Sequence, residues 1–383
     1  MPTAVCSVIS PNYRPFARVL MSSVRTHQPE WDRFVLVVGG PADIGEEEPF
    51  ETVAVDALGL PDPPDLTFRY TMLELDTAVK PWLIAHLFDR GYDRVVYLDP
   101  DIVVYSRLAE LDRDGQPFIT LTPHLTTPVE DAVQNGGHAR ERSILIAGVW
   151  NLGFIAITRD PQLDAFLAWW KGRLIRECVV EPEIGLFVEQ KWVDLVPGFF
   201  DRVVALRHEG YNVAYWNLRQ RPVTRDDDGS FSVNGGPLRF FHFSGFDPSL
   251  PGLVSKHDVS QKAAASGDAA LLFDRYARAV KAAGHSSLRQ AGYSYGAFHD
   301  GSRVTDAMRV AYRRSPRLQA DAAGNPFAYP ELFHGTEEPK PPPVMARMKY
   351  RAYHVLSRAR PLVRLLPLRL RAAMREGLLG RDP

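Results

Sequence analysis

Apolar positions in the first hundred residues recur in two alternating rhythms. Residues 4–10 are a short, nearly unbroken apolar run that predicts a buried strand, and Phe16, Val19, Leu20 and Val24 follow at the spacing of one helix face. Residues 34–38, closed by Gly39 and Gly40, predict a second strand, and residues 53–55 a third. From Tyr70 the period becomes helical, with Pro81 suited to a first helical turn ahead of Trp82, Leu83, Leu87 and Phe88. Residues 94–98 then predict another compact strand. Strands alternating with helices imply parallel pairing with helices on both faces, because parallel strands need crossovers.

Beyond Asp101 the order is mixed. Residues 118–121 and 153–158 predict strands, 161–177 a helix that begins at a proline, and 186–195 a shorter helix. Residues 238–243 read as a late apolar strand and 258–283 as an alanine-rich helix, and Pro326, Pro330 and the prolines of 339–343 mark a loop-rich close. No internal repeat is visible. The pattern divides the chain into an α/β domain over 1–257, a helical and loop-rich portion over 258–338 packed on it, and a basic amphipathic tail over 339–383.

Composition narrows the function. With 383 residues, 45% of them apolar and 24% charged, the chain has enough apolar side chains for a large core. Lys and Arg number 45 against 46 Asp and Glu, so no overall field favours nucleic acid. Cys6 and Cys178 sit in apolar surroundings without a C-x-x-C spacing, which argues against a disulfide framework or a zinc ribbon. The N-terminal residues lack the pattern of a secretory signal and no long apolar run occurs, so a cytoplasmic protein is expected. Charge is nevertheless uneven: residues 340–383 carry a net charge of +9 and the chain before them −10. Over 344–379 the basic residues alternate with Leu, Val, Met and Tyr, a pattern suited either to peripheral contact with the inner face of a membrane or to a helix packed on the domain.

The chemistry concentrates at Asp99-Pro100-Asp101. These carboxylates follow the apolar strand 95–98 directly, and ligands of open α/β sheets bind at the carboxyl ends of strands. Residues i and i+2 of an extended chain project to one side, so Asp99 and Asp101 can converge, with Pro100 stiffening the turn. Two hard oxygen ligands suit Mg²⁺ or Mn²⁺ and leave positions for a diphosphate. Such an ion stabilises charge on a departing phosphate.

In this setting the chain resembles the GT-A glycosyltransferases, and among them family 8, the group of glycogenin and bacterial lipopolysaccharide galactosyltransferases. The matching blocks span residues 4–248 in the family's order. The resemblance implies a Rossmann-like mixed sheet flanked by helices, with a helical C-terminal extension. It implies that Ser10, Asn12 and Tyr13, at the tip of the first strand, hold the nucleoside, and that Lys80, in Ala78-Val79-Lys80-Pro81-Trp82, lies near the donor phosphates. Asn151, in Trp150-Asn151-Leu152-Gly153-Phe154, matches the asparagine that binds the transferred sugar, and Gly153 the glycine that allows close backbone approach. Glu189-Gln190 matches an acidic-Gln pair beside the anomeric carbon, although the family more often carries Asp. His242, in Phe241-His242-Phe243-Ser244-Gly245, matches the histidine that joins Asp99 and Asp101 at the metal. The family's lysine after that glycine has no counterpart at Phe246-Asp247-Pro248, and Lys256 stands further along as a replacement.

The resemblance thus implies transfer from a nucleoside-diphosphate sugar, a UDP-sugar favoured, with retention, to a glycan, lipid-linked or small-molecule acceptor. An inverting reaction would instead need a carboxylate base, for which Asp131, Glu189 and Asp247 are available. Residues 122–141, with His124, Thr126, Thr127 and Asn135, read as a polar lid, and Trp216, Asn217 and Arg221 as either a sugar-stacking cluster or buried structure. Two other functions fit the pattern. A sugar-nucleotide pyrophosphorylase would need a glycine-rich phosphate loop, and residues 10–14 contain no glycine. A non-catalytic carbohydrate-binding protein would bind donor without turning it over.

Overall fold

The first strand, β1 (Thr3–Ile9), is buried along its whole length, as a run with no polar face must be. A computed structural model describes residues 1–43, 47–113, 115–129, 137–258, 261–263 and 266–336. Two compact units divide it, 1–332 and 333–383. The basic tail expected at 339–383, with membrane contact through 344–379, lies outside the described residues, as do Asp131 and Asn135.

After β1 come α1 (Arg14–His27), β2 (Asp32–Val37), β3 (Glu51–Ala54), α2 (Pro63–Arg69), α3 (Met72–Ala78), α4 (Lys80–Asp89) and β4 (Arg94–Leu98). Helix α1 buries Phe16, Ala17, Leu20, Met21 and Val24 on one face. Helix α3 begins with a capping box, Thr71 accepting from the Glu74 amide while the Glu74 carboxylate returns to Thr71, and Pro81 stands in the first turn of α4. β5 (Ile102–Val104), β6 (Ile119–Pro123), α5 (Gly137–Ala147), β7 (Trp150–Thr158) and α6 (Leu163–Leu174) follow.

A short pair, β8 (Val180–Glu181) and β9 (Leu186–Phe187), leads into α7 (Val188–Val193), α8 (Val196–Phe199) and β10 (Val203–Ala205). β11 (Val223–Arg225), β12 (Phe231–Val233) and β13 (Gly236–Pro237) make a small antiparallel sheet before β14 (Phe240–His242) and α9 (Ala269–Ala282).

Seven strands form the central sheet in the order β10-β6-β7-β4-β1-β2-β3. β1, β2, β3 and β4 are mutually parallel where they pair, and β7 runs antiparallel to both β4 and β6. The sheet is therefore mixed α/β, as expected. A separate antiparallel pair matters most for function. β14 lies against β5 with His242 opposite Ile102, and the Phe243 amide donates to the Asp101 carbonyl at 2.8 Å, so a segment 140 residues downstream is stitched to the Asp-Pro-Asp turn.

Three elements depart from the sequence reading. Residues 186–187 pair as β9 and the helix begins only at Val188, whose left-handed φ of 44° marks the break. In 238–243 only 240–242 form a strand. The helix expected from 258 starts at Ala269, after Gly267 takes a left-handed φ of 58°. That helix buries Leu272, Phe273 and Tyr276 against β14 and α1, with Tyr276 stacked on Phe243 at 3.9 Å between ring centres. Among the described residues no helix is long and apolar enough to cross a membrane.

Candidate cation and donor site

β4 delivers Asp99 to the carboxyl edge of the sheet, where its amide donates to the Gly153 carbonyl of β7 at 2.8 Å. The turn closes through the Ile102 amide on the Asp99 carbonyl, 3.1 Å, and presents Asp101 beside it. Nε2 of His242 lies 3.0 Å from Asp101 Oδ1 and 3.8 Å from Asp99 Oδ2. One donor atom from each of the three residues falls within 4.8 Å of the others. Two hard carboxylate oxygens and one imidazole nitrogen at that spacing fit a single Mn²⁺ or Mg²⁺. The carboxylates are partly open to solvent and His242 is buried, so the cluster has one accessible side.

The electrostatics hold this cluster together. Burial alone would drive the Asp101 carboxyl up, but the His242 imidazole outweighs it and holds Asp101 below the usual carboxylate range. The reciprocal balance raises His242, whose burial is overcome by Asp101 and then Asp99. Asp99 Oδ1 is fully engaged, accepting from the Tyr97 hydroxyl at 2.8 Å and from Lys80 Nζ at 3.2 Å, so Oδ2 is the oxygen that faces His242.

Lys80 sits at the start of α4, 1% exposed. Its ammonium also donates to the Leu152 carbonyl at 3.1 Å and to Glu189 Oε1 at 2.7 Å, and rests over the Tyr97 ring at 4.2 Å. Burial would lower Lys80, but Asp99 and Glu189 outweigh it and keep the ammonium above its ordinary value. Glu189 is raised by its own burial despite Lys80, and its Oε2 has no hydrogen-bond partner among the described residues. The next residue, Gln190, spends both ends of its amide on backbone: Nε2 donates to the Ala147 carbonyl at 2.7 Å and Oε1 accepts from the Leu152 amide at 3.4 Å.

Asn151 and Gly153 lie behind the cluster. Asn151 Oδ1 is 3.2 Å from each of the Gly153 amide, Asn212 Nδ2 and His242 Nδ1. A Cβ on Gly153 would stand 2.5 Å from His242 Cε1 and 2.8 Å from Asn151 Oδ1, so the glycine is what leaves room for the histidine ring against this backbone.

No protein-family model matches the chain. The chain is 29% identical over 173 residues to the uncharacterised protein YfnF of Bacillus subtilis (strain 168), a match covering 44% of this chain and 53% of YfnF. It thus spans about half the length of that relative. The uncharacterised protein YfnD of the same organism is 24% identical over 236 residues, covering 59% of this chain and 72% of YfnD. Among solved structures, the chain is similar to the galactosyltransferase LgtC in complex with donor and acceptor sugar analogues, at 17% identity and a TM-score of 0.44 over 73% of this chain and 95% of that one. The glycosyltransferase GlyE of Streptococcus pneumoniae TIGR4 matches at 14% identity and a TM-score of 0.43, over 75% of this chain and 64% of that one. Both of these solved structures are of glycosyltransferases.

The remaining expected site residues lie at the tip of β1 and on the loop after β14. At the tip of β1, the Ser10 hydroxyl donates to Asp76 Oδ2 at 2.6 Å. Tyr13 stacks on Phe16 at 4.8 Å, and burial, followed by Asp101, Asp76 and Asp99, pushes its phenol up to about 12. Lys256 is exposed on the loop after β14, where its amide donates to the Gly245 carbonyl at 2.8 Å. Asp247 spends a carboxylate oxygen on the Ser249 amide at 2.8 Å and hydroxyl at 2.5 Å.

Four residues that the sequence reading did not place in the site contribute to it or support it. Tyr97 lies two positions before Asp99 on the same strand face, a signal that alternation contains. Asp76 precedes Lys80 by four residues. Asn212, buried and left-handed at φ 53°, had no sequence signal beyond the tolerance of Asn for that conformation. His124, read as part of a polar lid, is buried just past the end of β6, where its amide donates to the Val149 carbonyl at 3.0 Å. Trp216, Asn217 and Arg221 are buried too: Asn217 donates to the His124 and Asn212 carbonyls, and Arg221 to the Tyr211 carbonyl and Thr126.

Proposed function

We propose that the chain is a divalent-cation-dependent glycosyltransferase, moving a sugar with retention from a nucleoside-diphosphate donor, a UDP-sugar favoured, to a glycan, lipid-linked or small-molecule acceptor. The observation that supports it most is the convergence of Asp99, Asp101 and His242 at the carboxyl end of β4, with Lys80 and Glu189 buried alongside. Mn²⁺ or Mg²⁺ held there would neutralise charge on the departing diphosphate.

The chain's own groups supply the rest. Tyr97 and Lys80 fix the Asp99 carboxylate, leaving Oδ2 and Asp101 to face the ligand side. Asn151 reaches the transferred sugar only by exchanging one of the hydrogen bonds that its amide makes to Gly153, Asn212, His242 and His124. Glu189 Oε2 meets an acceptor hydroxyl, and Gln190, anchored to Ala147 and Leu152, keeps α7 and therefore Glu189 against β7 beside the reacting centre. Ser10, Asn12 and Tyr13 receive the nucleoside, and Lys256 adds positive charge for the diphosphate from the loop beyond Gly245. Because the leaving phosphate can accept the acceptor's proton on the same face of the sugar, this route requires no separate enzymic base.

A screen of nucleotide sugars with Mn²⁺ tests the reading. Release of nucleoside diphosphate from one donor, lost on chelation, is the expected result. Pyrophosphate instead of nucleoside diphosphate would identify a pyrophosphorylase, and binding without turnover a carbohydrate-binding protein.

A further inference from the structure

Behind His242 the buried polar atoms form one hydrogen-bonded chain whose protons can be assigned from backbone groups at its two ends. At one end the Gly153 N–H can only donate, so the Asn151 atom facing it is the oxygen. The Asn151 amide nitrogen then points the other way, 3.2 Å from His124 Nε2, and as a donor it requires Nε2 to be unprotonated. At the other end the Val149 carbonyl can only accept, 3.3 Å from His124 Nδ1, so Nδ1 carries the proton. Both ends give the same tautomer. Burial pushes the His124 ring down to about 4, which keeps it neutral as the assignment requires.

The oxygen of Asn151 next faces His242 Nδ1 at 3.2 Å, and the Asn212 oxygen faces the same nitrogen at 3.3 Å. Asn212 is itself oriented independently, since its Nδ2 reaches Thr122 Oγ1 and Asn151 Oδ1, both at 3.2 Å. Two acceptors on Nδ1 mean that this nitrogen holds a proton. Nε2 is left to Asp99 and Asp101. Trp216 packs edge-on against both imidazoles, 5.2 Å from His124 and 5.3 Å from His242, and holds the rings in place.

We infer that His124 is a positioning residue of the cation site, fixing the His242 proton on Nδ1 through the Asn151 amide so that the Nε2 lone pair is directed at the metal. Partners that set the tautomer of a ligating histidine typically change metal affinity by about 10–100-fold when removed. The inference rests on the cation reading of the site and is independent of the sugar chemistry.

The test uses the full chain without sugar donor. Imidazole ¹⁵N–¹H spectra of the wild type, with and without Mg²⁺, report which ring nitrogen is protonated, and Mn²⁺ affinity is measured by EPR for wild type, His124→Leu and His124→Gln. The expected results are a proton on Nδ1 of both His124 and His242 in the Mg²⁺-loaded protein, an affinity loss of about 10–100-fold for His124→Leu, and recovery of most of that loss by His124→Gln, whose amide oxygen accepts from Asn151. A His242 proton on Nε2 in the loaded protein overturns the inference, and so does equal affinity in all three chains or an equal loss in both variants. Failure of the wild type to bind either cation overturns the inference and the proposed function together. Should the Leu variant not fold, the wild-type spectra decide alone.

Discussion

The two corners of the site are built in opposite ways. Around the cation cluster most polar atoms of the described residues are engaged: Asp99 by Tyr97 and Lys80, Lys80 by Glu189 and Leu152, His242 by Asn151 and Asn212, with Glu189 Oε2 and Trp216 Nε1 the exceptions. At the corner proposed for the nucleoside Ser10 meets Asp76, while Asp76 Oδ1, Asn12 Oδ1 and the Tyr293 hydroxyl are buried without a partner among the described residues. Tyr293 belongs to this corner because its ring lies against Gly39, just past β2, and the Ser294 amide donates to the Gly39 carbonyl at 2.7 Å. The difference follows from charge. Carboxylates 3–4 Å from a histidine must be fixed against mutual repulsion, and a low-dielectric pocket makes any loose charge costly. Neutral groups, Asp76 among them while its carboxyl is protonated, carry a smaller penalty when left unpaired.

Substitutions in the two corners should therefore behave differently. The largest effect is expected for Asp101→Asn, which keeps the shape of the turn but removes one anionic ligand. Nucleoside diphosphate release should fall about a thousandfold, the several kcal/mol a catalytic cation contributes, with the far-UV spectrum unchanged. Less than a tenfold loss would detach the cluster from the reaction.

Next is Lys80→Met, which leaves Asp99 and Glu189 facing each other without the ammonium between them. Breaking one partner out of a buried ion pair costs about 3–5 kcal/mol, so the urea midpoint should drop sharply. An unchanged midpoint would mean that the ion cluster does not hold the cation corner together.

The smallest effect is at Asp76. Burial raises its carboxyl to about 7, against the opposing pull of Ser10 and Lys80. Between its ordinary pKa near 4 and 7 the folded chain holds a proton that the unfolded chain has released, so this residue makes stability fall as pH rises through that window. Asp76→Asn should flatten that fall in a urea-unfolding series from pH 4 to 8, with the smallest change at pH 4. An unaltered slope would show that the Asp76 carboxyl does not titrate in this window.

How much was legible in sequence follows the same division. β1, β4 and β7 declare themselves as nearly continuous apolar runs, and Asp99, Asp101, Asn151, Gly153 and His242 as motifs whose spacing within one segment is short enough to carry geometry. Spacing across segments carries none. Nothing in positions 80, 99 and 189 says that Lys80 bridges two carboxylates, since that depends on α4, β4 and α7 meeting at one point. His124 looked like lid because polar residues surround it in sequence, yet its neighbours in space are Trp216, Asn151 and Asn217. The late start of α9 was hidden for a related reason: the alanines of 263–265 fit a helix, and the left-handed turn at Gly267 decides where it begins.

The central claim is that one cation is held jointly by Asp99, Asp101 and His242. Anomalous diffraction at the manganese edge, from crystals of the full chain grown with MnCl₂, tests it most directly. A single peak bonded to Asp99 Oδ2, an Asp101 carboxylate oxygen and His242 Nε2 is the predicted result. A Mn²⁺ peak bound elsewhere, with these three side chains making no contact to it, would contradict the account.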